Sequence, residues 1–86
     1  VVISGLVQGV GFRYFLKRKA DELNLVGWVK NTQDGNVEAN FEGESDSVDK
    51  IIAWCRKGPF LANVGDVKVR KSEAIGNLSG FTIQYE

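Results

Sequence analysis

A glycine-rich loop near the start of the chain holds the residue types best suited to chemistry. Gly5, Gly9 and Gly11 precede Arg13 in a run that joins an apolar segment to a helical pattern. The first N–H groups of a helix lack intrahelical acceptors, and glycines let such groups turn toward a bound anion. The guanidinium of Arg13 can bind two phosphate oxygens. The pattern predicts a phosphate site that needs no metal, although glycines also serve plain tight connections.

The residue types that are missing restrict the chemistry further. The chain contains no histidine, which removes the commonest general base, the commonest zinc ligand and every Ser-His or Cys-His dyad. Its one cysteine, Cys55, cannot form an internal disulfide, which favours a reducing, cytoplasmic location. Cys55 also falls on the apolar stripe of a predicted helix, so a core position is favoured over a nucleophile.

The composition is that of a small globular domain. A chain of 86 residues has room for one core, so we expect a single domain over residues 1–86. Eleven basic residues balance eleven acidic ones, which gives no general attraction to nucleic acid or to anionic lipid. Apolar runs are only a few residues long, so neither a membrane span nor a signal peptide is predicted.

Alternation and helical spacing predict seven elements. Strands are expected over residues 1–4, 27–32, 37–42, 67–70 and 81–85, and helices from 12 to 24 and from 45 or 46 to 57. Ser45 or Asp46 is expected to cap the second helix, and Gly58-Pro59 to end it. The order βαββαβ plus a short C-terminal strand predicts an α+β, ferredoxin-like split βαβ sandwich, with both helices on one face of an antiparallel sheet.

Two runs of residues resemble the signatures of the acylphosphatase family. Residues 7–13 (VQGVGFR), with Gly5 before them, resemble the first signature. Residues 27–31 (GWVKN), followed by Gly35, Val37 and Gly43, resemble the second. The resemblance extends over essentially the whole chain, including the closing FTI of residues 81–83. It implies the ferredoxin-like sandwich with core strand order 4-1-3-2.

The resemblance also implies an activity. Acylphosphatases hydrolyse the carboxyl–phosphate bond of small acyl phosphates to a carboxylate and inorganic phosphate, without metal or cofactor. By matching position, Arg13 would clamp the phosphate and Asn31 would position the attacking water, whose proton would pass to the substrate phosphate. The residues expected to bind substrate are Gln8, Gly9, Val10, Gly11, Phe12 and Arg13. Inorganic phosphate or sulfate is expected as a product-like ligand, the chain as a monomer, and nucleic acid and membranes are not expected as partners.

Other interpretations compete with this one. An RNA-recognition domain would need aromatics on the first strand, and residues 1–4 contain none. A metal-binding ferredoxin-like domain would need paired cysteines.

A start at Val1 in place of Met is compatible with a domain cut from a larger protein, such as a hydrogenase maturation factor that handles carbamoyl phosphate. Closure of the fold at residues 85–86 favours a free-standing protein. Trp28 and Trp54 are expected in the core.

Overall fold

Seven elements follow one another in the predicted order. A computed structural model describes residues 1–71 and 76–85; Glu86, at the predicted closure, lies outside the described residues. The elements are β1 (Val2–Leu6), α1 (Phe12–Glu22), β2 (Val26–Asn31), β3 (Val37–Glu42), α2 (Ser45–Lys57), β4 (Asn63–Lys68) and β5 (Phe81–Gln84). The bounds of β1 and β4 differ most from expectation, and those of β2 and β5 differ by no more than one residue at either end. β1 extends further at its C-terminal end and β4 further at its N-terminal end, where Gly5 and Leu6 pair with Val64 and Asn63. The register of this pairing shifts between Ser4 and Gly5.

The strands form one sheet in the order β4-β1-β3-β2-β5. The core order 4-1-3-2 is therefore confirmed. The expectation of an antiparallel sheet holds for the pairs among β1 to β4, but β5 runs parallel to β2, with Gly27 opposite Phe81 and Lys30 opposite Gln84. β5 lies at the edge of the sheet opposite β4, next to β2.

The two helices contact each other and pack against the sheet. Apolar side chains at helical spacing form one buried stripe on each helix, as expected for a two-layer fold. The helices bury Phe12, Leu16, Ala20, Ile51 and Cys55, and the strands bury Ile3, Val29, Val37, Ala39, Val67 and Phe81. This core fixes the N-terminus of α1 beside the ends of β1 and β2.

The end of α1 agrees with its local sequence signal, whereas the start of α2 does not. Asn24 has a positive φ of 57°, which agrees with the predicted end of α1. The predicted cap of α2 is wrong: the N-cap is Glu44, with no side-chain cap hydrogen bond, and Ser45 is the first residue of the helix. Asp46 lies in the first turn, where its charge favours the helix dipole.

The two tryptophans differ in position. Trp54 packs against the core and meets the Phe12 ring edge-on, with 5.5 Å between centroids. Trp28 is not a core residue, which corrects the expectation. Its neighbours Gly27 and Val29 are buried, so strand alternation turns Trp28 to the opposite face, where the Lys30 ammonium lies 5.3 Å from its ring centroid.

No helix in the described part of the chain is both long enough and apolar enough to cross a membrane.

Candidate active site

The loop between β1 and α1 depends on two glycines in left-handed conformations. Gly9 has φ 76°, and Gly11, the N-cap of α1, has φ 77° and ψ 17°. A Cβ at Gly9 would meet no atom within 4 Å, so conformation and not space requires glycine there. Left-handed residues of this kind are one component of an anion nest, in which neighbouring N–H groups face the same side.

Backbone amides in this loop have no acceptor in the part of the chain that the structure describes. The first backbone hydrogen bond of α1 runs from the Phe15 N–H to the Gly11 carbonyl, at 3.1 Å. Among the described residues, none accepts a hydrogen bond from the backbone N–H groups of residues 8–13. The helix dipole concentrates partial positive charge at the same place. The loop can therefore donate several hydrogen bonds to an anion.

The C-terminal strand holds the guanidinium of Arg13. Its Nη1 donates to the Gln84 carbonyl at 3.4 Å, and its Cζ lies 4.7 Å from the centroid of the Tyr85 ring. A guanidinium has five N–H donors, so most remain available to a ligand. These two contacts place the guanidinium beside the end of β5.

One cavity of about 140 Å³ brings the loop together with the end of β2. Asn31 is the last residue of β2 and lies opposite Val37 of β3. The cavity is lined by Val7, Gly9, Gly11, Phe12, Arg13, Tyr14, Asn31 and Tyr85. Arg13 and Asn31, which are 18 positions apart in the chain, thus face one space.

The chain is similar to known proteins over almost its whole length. The Acylphosphatase family model matches residues 1–83. An acylphosphatase of Acaryochloris marina is 52% identical over 82 residues, which are 95% of this chain and 87% of that protein. The chain belongs to the acylphosphatase family. The crystal structure of acylphosphatase from Bacillus subtilis is similar with a TM-score of 0.94 and 38% identity, covering 98% of this chain and 93% of that one.

The acylphosphatase fold also occurs inside a much longer protein. The crystal structure of T. kodakarensis HypF matches with a TM-score of 0.83 and 32% identity. That match covers 99% of this chain and only 11% of HypF. The fold is therefore used both alone and as a small part of a larger chain.

The predicted substrate-binding residues of this acylphosphatase do not all face the cavity with their side chains. Gly9, Gly11, Phe12 and Arg13 line it, whereas Gln8 and Val10 do not. The Phe12 side chain is only 2% exposed, so it can serve a ligand through its backbone N–H alone.

Val10 instead lines a separate, larger groove of about 590 Å³, which shares no lining residue with the cavity. That groove also includes the exposed side chains of Phe60 and Leu61. It contains neither Arg13 nor Asn31, so its size does not make it the better candidate for phosphate chemistry.

The sequence singled out neither of the two tyrosines that line the cavity, Tyr14 and, over Arg13, Tyr85. Tyr85 was interpreted only as one alternating position of the last strand. Its place over Arg13 results from the pairing of β5 with β2, in which Gln84 lies opposite Lys30, one residue before Asn31. No local motif signals such a contact, because it depends on strand register.

The basic run at 17–19 belongs to a solvated face of α1. Lys17 pairs with Asp21 at 2.7 Å, and Lys19 lies 3.7 Å from Glu22. Such exposed pairs within one helix contribute only a few tenths of a kcal/mol, roughly 0.2–0.5. They direct these lysines along the helix and away from the cavity.

Cys55 is a core residue, as its position on the apolar stripe predicted. Its side chain is 0% exposed, and burial raises the pKa of the Cys55 thiol from 9.0 to about 12. The thiolate is the nucleophilic form, so a buried thiol with this pKa is inert near neutral pH.

We therefore expect iodoacetamide at pH 8 to leave native Cys55 unmodified and to alkylate it in urea, and Cys55→Ala to keep its turnover. The unfolded thiol ionises near pH 9.0 and the native thiol near 12. Between these values the unfolded state binds fewer protons, so this group lowers the free energy of unfolding as pH rises through that window. Cys55→Ala should remove that part of the decline. Rapid alkylation of the native protein with loss of turnover would contradict the assignment.

Proposed function

We propose that the cavity around Arg13 and Asn31 is the catalytic site of this acylphosphatase. The loop amides and Arg13 would bind the phosphoryl oxygens of the substrate, and Asn31 would hold the attacking water. The observation that supports this most directly is the convergence of free backbone amides, one guanidinium and one carboxamide on a single cavity. These groups are all hydrogen-bond donors, which suits a phosphate.

The proposed reaction needs no general acid or base from the protein. The water oxygen attacks phosphorus, the bond from phosphorus to the acyl oxygen breaks, and the carboxylate leaves with the bonding electrons. A carboxylate is a weak base, because its conjugate acid has a pKa of about 4, so it departs without a proton donor. Within the described residues, no carboxylate or thiol lines the cavity. The water's proton passes to a phosphoryl oxygen of the substrate.

Preorganised donors account for the acceleration in this proposal. The transition state of phosphoryl transfer is loose and spreads negative charge over the equatorial oxygens. Donors that are already fixed in place stabilise this charge without reorganising during the reaction. The contacts of Arg13 with Gln84 and Tyr85 support such a fixed arrangement.

The same proposal covers the product-like ligand, the cellular compartment and the partners of the enzyme. Inorganic phosphate, or sulfate as its analogue, would occupy the site as a product-like ligand. The unpaired thiol of Cys55 is compatible with the reducing cytoplasm. We take the chain as a monomer that binds a small acyl phosphate and neither nucleic acid nor membrane, in keeping with its formal net charge of zero.

A direct assay tests the proposal and the nature of the acyl group. We expect the protein to hydrolyse benzoyl phosphate and acetyl phosphate, to lose no activity in EDTA, and to be inhibited competitively by inorganic phosphate. Carbamoyl phosphate in a parallel reaction tests whether the site prefers the substrate expected for a domain of a maturation factor. If the protein unfolds in a cooperative thermal transition, and is therefore folded, but hydrolyses none of the three substrates, the proposed activity is refuted.

A further inference from the structure

The side chain of Gln8 connects the glycine loop to the turn that follows β2. Its Nε2 donates to the Thr32 carbonyl at 2.8 Å and to the Asn36 carbonyl at 2.8 Å. A carboxamide nitrogen has two hydrogens, so both are used by these two bonds. Because both hydrogens are used and Gln8 does not line the cavity, its side chain contributes no donor to a ligand there.

The turn itself is closed by its own hydrogen bonds. The Thr32 N–H donates to the Asn36 carbonyl at 2.9 Å, the Asn36 N–H to Thr32 Oγ1 at 3.1 Å, and the Gly35 N–H to the Thr32 carbonyl at 3.3 Å. These bonds fix the shape of the turn but not its position relative to the loop. Among the hydrogen bonds of the described residues, the two from Gln8 are the ones that join loop and turn.

Asn31 directly precedes the turn that Gln8 holds. Its backbone continues into Thr32, whose carbonyl accepts from Gln8, while Gln8 directly precedes the glycines that set the loop. One side chain thus spans the two segments that carry the phosphate-binding donors and the water-positioning group. A shift of the turn would move the Asn31 carboxamide relative to a phosphate bound in the loop.

We propose that Gln8 is a positioning residue, which sets the distance between the water held by Asn31 and the phosphate held by the loop. The inference rests on the function proposed above for Asn31. Attack in line with the breaking bond is sensitive to geometry, and a displacement of about 1 Å can cost roughly a hundredfold in rate. A loosened turn that still samples the productive position should lose less, about tenfold in kcat.

Kinetics of Gln8→Ala, and of the nearly isosteric Gln8→Glu, test this role. The glutamate carboxylate cannot donate to the two carbonyls and repels them. We expect both variants to lose at least about tenfold in kcat. Inhibition by inorganic phosphate should change by less than about threefold in Gln8→Ala, because the loop amides and Arg13 remain, whereas the added negative charge of Gln8→Glu should weaken it. The matched control is Gln33→Ala, which truncates an exposed glutamine of the same turn and should leave kcat unchanged.

A double-mutant cycle separates positioning from general destabilisation. If Gln8 acts through Asn31, then Gln8→Ala should cost less than about twofold in kcat when Asn31 is already alanine. A thermal melt with bound phosphate checks that each variant is folded at the assay temperature. The inference is overturned if the two kcat losses multiply in the double variant, or if the kcat of Gln8→Ala is within twofold of that of the unsubstituted protein. Either result leaves the proposed role of Asn31 intact. An unchanged kcat in Asn31→Ala would overturn the proposed role of Asn31 and this inference with it.

Discussion

Arg13→Ala is expected to lower kcat/KM for benzoyl phosphate by about a hundred- to a thousandfold, which corresponds to roughly 2.7–4 kcal/mol of lost transition-state stabilisation. The guanidinium is the one cationic side chain that lines the cavity among the described residues. Its removal leaves the phosphoryl charge to the loop amides alone. Inorganic phosphate should also inhibit the variant much more weakly, since the same group binds the ground-state dianion.

Arg13→Lys should also fail, within about tenfold of the alanine variant. An ammonium is a point charge, and it cannot donate in parallel to two oxygens while resting on the face of Tyr85 and bonding the Gln84 carbonyl. Arg18→Lys provides the matched control, because Arg18 is exposed on the same helix and lies outside the cavity. Near-normal hydrolysis by Arg13→Lys would show that charge alone suffices and would refute the bidentate clamp.

Asn31→Ala has the second largest expected effect, a loss of about a hundredfold in kcat. Its carboxamide can both donate and accept, so it can orient a water molecule but cannot deprotonate it near neutral pH. The phosphate-binding groups stay in place, so the inhibition constant of inorganic phosphate should change by no more than about threefold. Steady-state kinetics with phosphate as inhibitor measures both quantities on one sample.

Asn31→Asp gives a further test of the same role. The carboxylate keeps the shape of the side chain but loses both N–H donors and adds negative charge beside the phosphate, so turnover and phosphate affinity should both fall. Asn63→Ala, at an exposed position of β4, is the matched control and should behave as the unsubstituted protein does. The role assigned to Asn31 is wrong if Asn31→Ala weakens phosphate binding while bound substrate still turns over at the normal rate.

The elements predicted most accurately are those whose signals are local and repeated. The stripe of Phe12, Leu16 and Ala20 recurs at helical spacing, and the alternation of Val37 and Ala39 marks one buried face of a strand. The start of β4 was predicted four residues too late because this strand lacks such a repeated signal. This strand lies at the sheet edge and is exposed over most of its length, so burial imposes no alternation on Asn63 to Asp66.

The residues of the candidate site also fall into those with a local sequence signal and those without one. The properties of the loop and of Arg13 were deduced from glycine spacing and from the chemistry of a helix N-terminus. Asn31 was found only through the family resemblance, since a single asparagine at a strand end carries no signal of its own. Tyr85 was missed, and Gln8 was assigned to substrate binding without a role for its side chain, because both act through contacts with distant segments.

The amino-acid sequence by itself determined which groups are available to this enzyme: backbone donors freed by glycine, one guanidinium at a helix start, one carboxamide, and no imidazole. These follow from residue type and from spacing along a few positions. Only the tertiary structure decided that β5 would lie beside β2 and bring Tyr85 over Arg13, and that Gln8 would reach the turn after Asn31. Distances between remote segments are set by strand order, register and core packing together, and those are properties of the whole chain.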